Sequence, residues 1–487
     1  MSMGIVSKFS IIRQKSTNLS NISIMLCKLL VVSGFILYIF FILLSTHSCC
    51  YSSTIFTIWR QKDLKYSDPP FIPTNLSHVV FGIAGSFKTW KNRRWYVETW
   101  WRPNITRGYL FMERFPREFL PWPPSSPPFR IYQDTSRYKK YDKHPIPQAI
   151  RMTHLILETF KAENVGVRWY ILADDDTVFF INNLADVLAR YDHNKYFYIG
   201  MNSESHASNV YHSFNMAFGG AGYALSFPLA EALVNNLDVC IKRYPTLYGS
   251  DHIVQSCVAD LGASLTHEKG FHQFDVHSDI SGLLSAHPQA PLVSLHHLDY
   301  INPIFPYMSQ KESLNHLMEA AKIDESRLLQ QSVCYDKPKN WSFSISWGYS
   351  VQLYEAIFLP SMLQRSLQTF TPWSKYVWPL FLFNTRIPSK NPCEAPHFFF
   401  FDSVESKSDN YFVTSYSRRM PAGSIPSCSS TGNRSANHVS KIYVLSPTWK
   451  HDPIETRREC CDVMHMTGTN TTEIKLRNCL ENEIVPD

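Results

Sequence analysis

The chain has 487 residues, 44% of them hydrophobic and 14% aromatic, with a formal net charge of +6. The charge is mild and dispersed, with no Lys/Arg block of the kind that grips nucleic acid, so no nucleic-acid partner is expected. The apolar content can bury a large core, and the length allows two domains.

In chain order, residues 1–23 carry Lys8, Arg13 and Lys15 and no acidic residue. An uncharged run from Leu29 to Leu44 follows. Extended back to Ile24, with Lys28 snorkelling, it nears the roughly 20 residues that cross a bilayer. The basic flank (1–23) therefore reads as a cytosolic tail, residues 24–44 as a signal anchor, and the remainder as luminal. A cleaved signal peptide is the competing reading, but Ser45-Thr46-His47-Ser48 offers no clear small-x-small cleavage site. Sequons begin at Asn75, Asn104, Asn340, Asn433 and Asn470, and ten of the 11 cysteines lie beyond the run without CxxC units. Both features fit an oxidising compartment, where disulfides are expected rather than zinc sites. Cys240 with Cys257 is one candidate bridge.

Residues 45–77 include Pro69, Pro70 and Pro73 and read as a stem. The folded part is expected to begin near His78. His78 to Ser86 has the pattern of a buried strand entering a small-residue turn, and Arg93 to Trp101 that of a helix. A strand around Tyr109 to Met112 precedes a loop from Phe115 to Phe129, whose six prolines exclude regular structure. A helix over Pro147 to Phe160, a strand over Tyr196 to Gly200 and a helix over Leu229 to Ile241 complete an alternation that predicts α/β layers with a mostly parallel sheet. Gly219-Gly220-Ala221-Gly222 allows close backbone approach to a ligand but lacks dinucleotide-binding spacing. From Cys334 the character changes to short aromatic and β-branched runs, such as Trp341 to Trp347 and His397 to Phe401, which predict a β-rich domain over 334–487. Ile357 to Phe370 stands out as a helical exception, and Ser403 to Asn437 is polar enough to contain a mobile loop.

The chemistry gathers at Asp174-Asp175-Asp176, which end the apolar run Trp169 to Ala173. Ligands of open α/β sheets collect beyond the carboxyl ends of strands, and hard divalent cations take oxygen ligands. Asp174 and Asp176, two apart, can face one ion if the chain turns. The simpler reading is a cap on a helix running from Thr177 to Tyr191. Three adjacent carboxylates repel one another, which is more than a cap requires.

Four segments, WYILADDDTVFF (Trp169 to Phe180), FGGAGY (Phe218 to Tyr223), YPTLYGSDHIVQSC (Tyr244 to Cys257) and VSLHHLD (Val293 to Asp299), give residues 78 to about 305 a resemblance to the fringe-related inverting β-1,3-glycosyltransferases, which include fringe and core 1 galactosyltransferase, and especially to their plant branch. The resemblance implies a GT-A type nucleotide-sugar-binding domain over 78–333, anchored in the Golgi membrane as a single-pass type II protein. It implies Mn²⁺ on Asp174, Asp176 and His296, with Asp251 as general base. By the same route a UDP-sugar donor would lie near Asp174, Asp175, Ser86, Gly219 and Gly220, and a glycan or glycoprotein would accept the sugar in a β-linkage. Strand alternation lets only one of His296 and His297 face the ion. His272 and His277 read as ordinary core residues. Where the plant branch carries a second acid, this chain has His252, which keeps open a rival reading: a membrane-tethered carbohydrate-binding protein with the fold but no turnover. A metal-dependent phosphohydrolase would want ligands for a second ion, and no such cluster is visible.

Overall fold

The computed structural model describes residues 28, 30–42, 73–135, 138, 148–408, 410–418, 428, 435–450, 457–465 and 470–485. The chain divides into two compact units, Met1–Ile72 and Pro73–Asp487. In the first, residues 30–42 form helix α1, whose side chains are exposed. Among the described residues no helix is long and apolar enough to cross a membrane. The cytosolic tail, most of both flanks of the expected anchor, the stem to residue 72 and the Asn433 sequon lie outside the described residues.

The second unit opens with β1 (Val79–Ala84), α2 (Phe87–Trp100), β2 (Arg107–Met112) and β3 (Phe129–Ile131). Between β2 and β3 the proline-rich segment is irregular apart from a short 3₁₀ turn, Arg117–Phe119. The helix expected over 147–160 is broken at His154 into α3 (Ala149–Thr153) and α4 (Leu155–Ala162). Then follow β4 (Trp169–Asp174), β5 (Val178–Phe179), α5 (Ile181–Leu188), β6 (Tyr198–Gly200), α6 (His206–Tyr211), β7 (Tyr223–Ser226), α7 (Phe227–Arg243), α8 (Ser250–Asp260), β8 (Leu265–His267), β9 (Phe271–His272), β10 (Val276–Ser278), α9 (Ser281–Leu284), β11 (Ser294–Leu295) and α10 (Gln310–Ile323).

The main sheet runs β3-β2-β1-β4-β7-β6-β8. Its pairings are parallel except at β7, which runs against both neighbours. β1 and β4 are apolar up to their last residues and buried on both faces, as strands covered by helices must be. Gly82 lets α4 sit close: a Cβ there would stand 2.2 Å from Thr159 Oγ1.

A small sheet, β5-β11-β9, corrects the expected helix from Thr177. Val178 and Phe179 pair antiparallel with Leu295 and Ser294. The helix starts only at Ile181, so the carboxylates end one strand and lead into another.

The C-terminal half is a second sheet of eight strands: β12 (Gln331–Asp336), β13 (Trp341–Ser346), β14 (Ser350–Tyr354), β18 (His397–Ser408), β19 (Tyr411–Arg418), β20 (Lys441–Pro447), β22 (Thr471–Arg477) and β21 (Cys460–His465), in that spatial order. Between β14 and β18 lie the short strands β15 (Ser366–Leu367), β16 (Phe370–Pro372) and β17 (Thr385–Arg386). The Cys334–Cys461 disulfide ties the first strand of that order to the last, giving a barrel-like closure. The helix expected over 357–370 reduces to one turn, Pro360–Leu363, followed by β15. The polar stretch from Ser403 is not simply a loop: β18 and β19 form a hairpin through it, and most of residues 419–434 lie outside the described set. Cys240–Cys257 forms as expected, with Cys393–Cys428 and Cys460–Cys479 beside it. One hydrophobic cluster runs through both halves, from Val79 to Leu476.

Candidate metal centre and base

The register of the small sheet builds the site. Leu295 pairs with Val178, so His296, the next residue, lies across from the turn that carries Asp176. Thr177 pins that turn: its Oγ1 donates to Gly220 O at 2.7 Å and accepts from Asp174 N at 3.2 Å, while Trp100 Nε1 donates to Thr177 O at 2.9 Å. Ligand atoms of Asp174, Asp176 and His296 then lie within 4.8 Å of one another. Asp176 and His296 are buried, and Asp174 is partly open to solvent.

His296 Nε2 stands 3.3 Å from Asp176 Oδ1, and that oxygen is buried without a hydrogen bond of good geometry. Two lone-pair atoms at this spacing match adjacent ligands on an ion with bonds of about 2.1 Å. Carboxylates suit Mn²⁺ and Mg²⁺ and imidazole suits Zn²⁺ and Fe²⁺, so the mixed set accepts a divalent cation without selecting one. The residues present therefore fit a divalent cation. A second cluster, Cys460, Cys479 and Glu483, is no rival, because its cysteines are bonded to each other.

Electrostatics divide the carboxylates. Burial raises Asp174 to about 7, helped by the neighbouring Asp176 and Asp251, and burial raises Asp175 to about 6, Asp176 adding to it. Burial also pushes Asp176 up, but His296 and Arg93 outweigh it and hold the group at about 2. His296 is raised: burial lowers it, and the Asp176 charge more than compensates.

The sequence marks Arg93 only as the start of a helix; α2 begins six residues earlier, at Phe87, and carries Arg93 into the site. Its guanidinium reaches Asp175 at 3.3 Å and Asp176 at 3.0 Å, with Asp299 at 3.8 Å. Asp299 closes the VSLHHLD segment and takes a hydrogen bond from Tyr96. Asp175 points away from the ligand trio, accepting from Ser86 N at 3.3 Å and Thr89 Oγ1 at 3.1 Å. Ser86 caps α2 through Lys88 N and also bonds Glu113. Asp175 and Ser86 thus fix α2 against the acidic turn.

The two glycines join this group to Asp251. Gly219 N donates to Asp251 Oδ2 at 2.9 Å, and Ser250 Oγ to Oδ1 at 3.1 Å. A Cβ on Gly219 would strike Asp251, and one on Gly220 would strike His296. Asp251 stands in the first turn of α8, is partly exposed, and has its carboxyl raised by burial. His252, beside it, is lowered by burial and by His212.

His297 goes elsewhere. A left-handed backbone at φ 56° turns its ring to Asp275 Oδ1 at 3.0 Å and against Trp373, parallel at 5.4 Å. Asp275 is a further residue without a signal in the sequence. His272 is buried against Glu204, and His277 stacks on Trp373.

The family described as "Protein of unknown function, DUF604" matches residues 208–461, just over half of the chain. The chain belongs to the DUF604 family. The matched span holds Gly219, Gly220, Asp251 and His296 and begins after the Asp174 turn. No curated protein matches this DUF604 chain in sequence. Among solved structures, a mannosyltransferase from Pyrobaculum calidifontis in complex with GDP-Man and Mn²⁺ aligns at 10% identity and a TM-score of 0.27, over 47% of this chain and 66% of that one. Core-mannan synthase A from Aspergillus fumigatus, in an Mn/GDP form, aligns at 10% identity and a TM-score of 0.25, over 41% and 76%. Scores this low assign no ligand, and the α/β architecture of this DUF604 chain rests on its own strand order.

Proposed function

We propose that the chain is a divalent-metal-dependent inverting glycosyltransferase that moves a hexose or N-acetylhexosamine from a UDP-sugar to a glycan or glycoprotein hydroxyl, forming a β-linkage. One observation carries the reading: a cation-fitting Asp-Asp-His group and a partly exposed carboxylate, Asp251, meet at one glycine turn beyond the carboxyl end of β4. The fringe-like motifs fall on those same residues.

Asp174, Asp176 and His296 would hold the ion, which when bound supplies Lewis-acid stabilisation of a departing diphosphate. Asp251 is the proton acceptor. Gly219 N and Ser250 Oγ fix its two oxygens, and its raised affinity for a proton suits a base that must take one from an acceptor hydroxyl. Attack from the Asp251 side, opposite the leaving group, inverts the anomeric carbon. Gly219 and Gly220 keep the floor free of side chains where a sugar would lie. Arg93 holds Asp176 charged and oriented. The four disulfides support a secretory-pathway location, and a Golgi membrane anchored through residues 24–44 completes the proposal.

The test is a screen of UDP-sugars with Mn²⁺ on the full-length chain, alongside Asp176→Ala and Asp251→Asn. Loss of the base should lower turnover by about 10²–10⁴-fold while leaving Mn²⁺ binding intact, and Asp176→Ala should lose both. Turnover unchanged in both variants overturns the assignment. Binding of UDP with Mn²⁺ and no UDP release with any acceptor supports the non-catalytic carbohydrate-binding reading, which His252 favours.

A further inference from the structure

One wall beside Asp251 is aromatic. His212 closes α6, and its half-buried ring lies edge-to-face with Phe218 at 6.0 Å and with His252 at 6.3 Å. Phe218 precedes Gly219, whose N–H holds the Asp251 carboxylate, and His252 follows Asp251 in α8. The His212 ring is therefore seated between the two segments that fix the base. Burial raises the Asp251 carboxyl, and Gly219, Ser250 and His212 pull it back, so His212 lies within electrostatic reach.

Tyr248 extends that wall outward. Its ring stacks on His212 at 5.4 Å and 26°, yet the residue is 51% exposed, so one ring face is covered and the other open. Gly249 aims it. At φ 79° and ψ 159° the backbone takes a conformation that glycine alone adopts without strain, and Ser250 then begins the helix that carries Asp251. Residues 205–219 and 244–250 contain no Lys, Arg, Asp or Glu. An open aromatic face in an uncharged border matches the flat side of a neutral pyranose. The positively polarised C–H groups of such a sugar meet the negative ring face, and its hydroxyls stay at the wet rim.

We propose that Tyr248 is the platform for the acceptor, and that the acceptor stacks a neutral pyranose ring there, directing one hydroxyl to Asp251. The inference rests on the transferase reading and narrows it: the receiving hydroxyl belongs to a sugar and not to a Ser or Thr of an unglycosylated polypeptide. Neither segment forms a strand that an extended peptide could pair with.

Saturation-transfer NMR on the full-length protein in detergent, with Mn²⁺ and UDP present, tests it. The probes are the methyl glycosides of galactose, glucose, mannose and N-acetylglucosamine, with an unglycosylated Ser/Thr-rich peptide as comparator. At least one glycoside should bind saturably, with saturation concentrated on one C–H face of its ring. Tyr248→Ala should weaken that binding by about tenfold, and Tyr248→Phe, which keeps the ring, should retain it. Tyr248 is exposed, and an unchanged thermal midpoint verifies that both variants are folded. No glycoside signal, or equal affinity in Tyr248→Ala, overturns the proposal. So does release of UDP from a UDP-sugar driven by the peptide and by no glycoside, which leaves the transferase reading standing. Glycoside binding that depends on the Tyr248 ring, in a chain that never releases UDP, keeps the platform and removes the transferase reading instead.

Discussion

A Cβ built on Gly220 would sit 2.1 Å from His296 Cε1, and one on Gly219 would sit 2.4 Å from Asp251 Oδ1. These approaches separate the two roles experimentally. Gly220→Ala displaces a ligand and should weaken Mn²⁺ binding by about tenfold or more, read by electron paramagnetic resonance titration. Gly219→Ala should spare the ion and lower turnover. Titration gives a second handle. Asp174, raised to about 7 by burial, carries a proton below that pH that an ion must expel. Mn²⁺ affinity is therefore expected to fall as pH drops from 8 to 5.5, with proton release on binding measurable by calorimetry in buffers of different ionisation enthalpy. Arg93 supplies a third. Its removal leaves Asp175 and Asp176 buried without their cation, so Arg93→Met should destabilise the metal-free chain by about 3 kcal/mol. Added Mn²⁺ should recover part of that loss in a thermal melt, because the ion replaces the missing charge.

At the scale of elements, the long helices and buried strands were legible because periodicity and apolar runs are local properties. α7 was read from Leu229 to Ile241 and spans Phe227–Arg243, and β4 ends at the acidic residues as its composition implies. The two-residue strand β5 was not legible. Val178-Phe179 is too short for a period, and what makes it a strand is pairing with Ser294 and Leu295, more than a hundred positions away. The same limit hid Arg93 and Asp275, whose partners are assigned by packing rather than by neighbours in sequence. His296 was placed opposite the acidic turn only through family resemblance, since an isolated strand histidine gives no sign of its partner. Thr177 now links these elements. Thr177→Val removes its bond to Gly220 O, which should destabilise by about 1 kcal/mol and loosen the ligand group. Denaturant unfolding and Mn²⁺ titration on the same variant measure both effects.

For the molecule as a whole, the change in composition at Cys334 falls inside β12, the first strand of the second sheet, but one apolar cluster runs through both halves. Composition reports what a segment is made of and is blind to what it packs against. The Cys334–Cys461 bridge closes a separation of 127 residues, and Cys334→Ser/Cys461→Ser should destabilise by about 2–5 kcal/mol, seen as a lower denaturant midpoint. Glu355 adds a pH dependence: burial opposes its charge, but His397 and Ala436 N hold its carboxyl below the ordinary value. The stability it contributes is present above the ordinary glutamate range and is lost as pH falls through its lowered value.

The order of the second sheet places β22 between β20 and β21, so the last strand in sequence is interior in space. A nonsense mutation near residue 470 would remove an inner member of the sheet and bare the edges of both its neighbours to aggregation. Even such a late truncation should therefore lower the yield of folded protein as severely as a lesion in the middle of the sheet, read as loss of soluble material on expression.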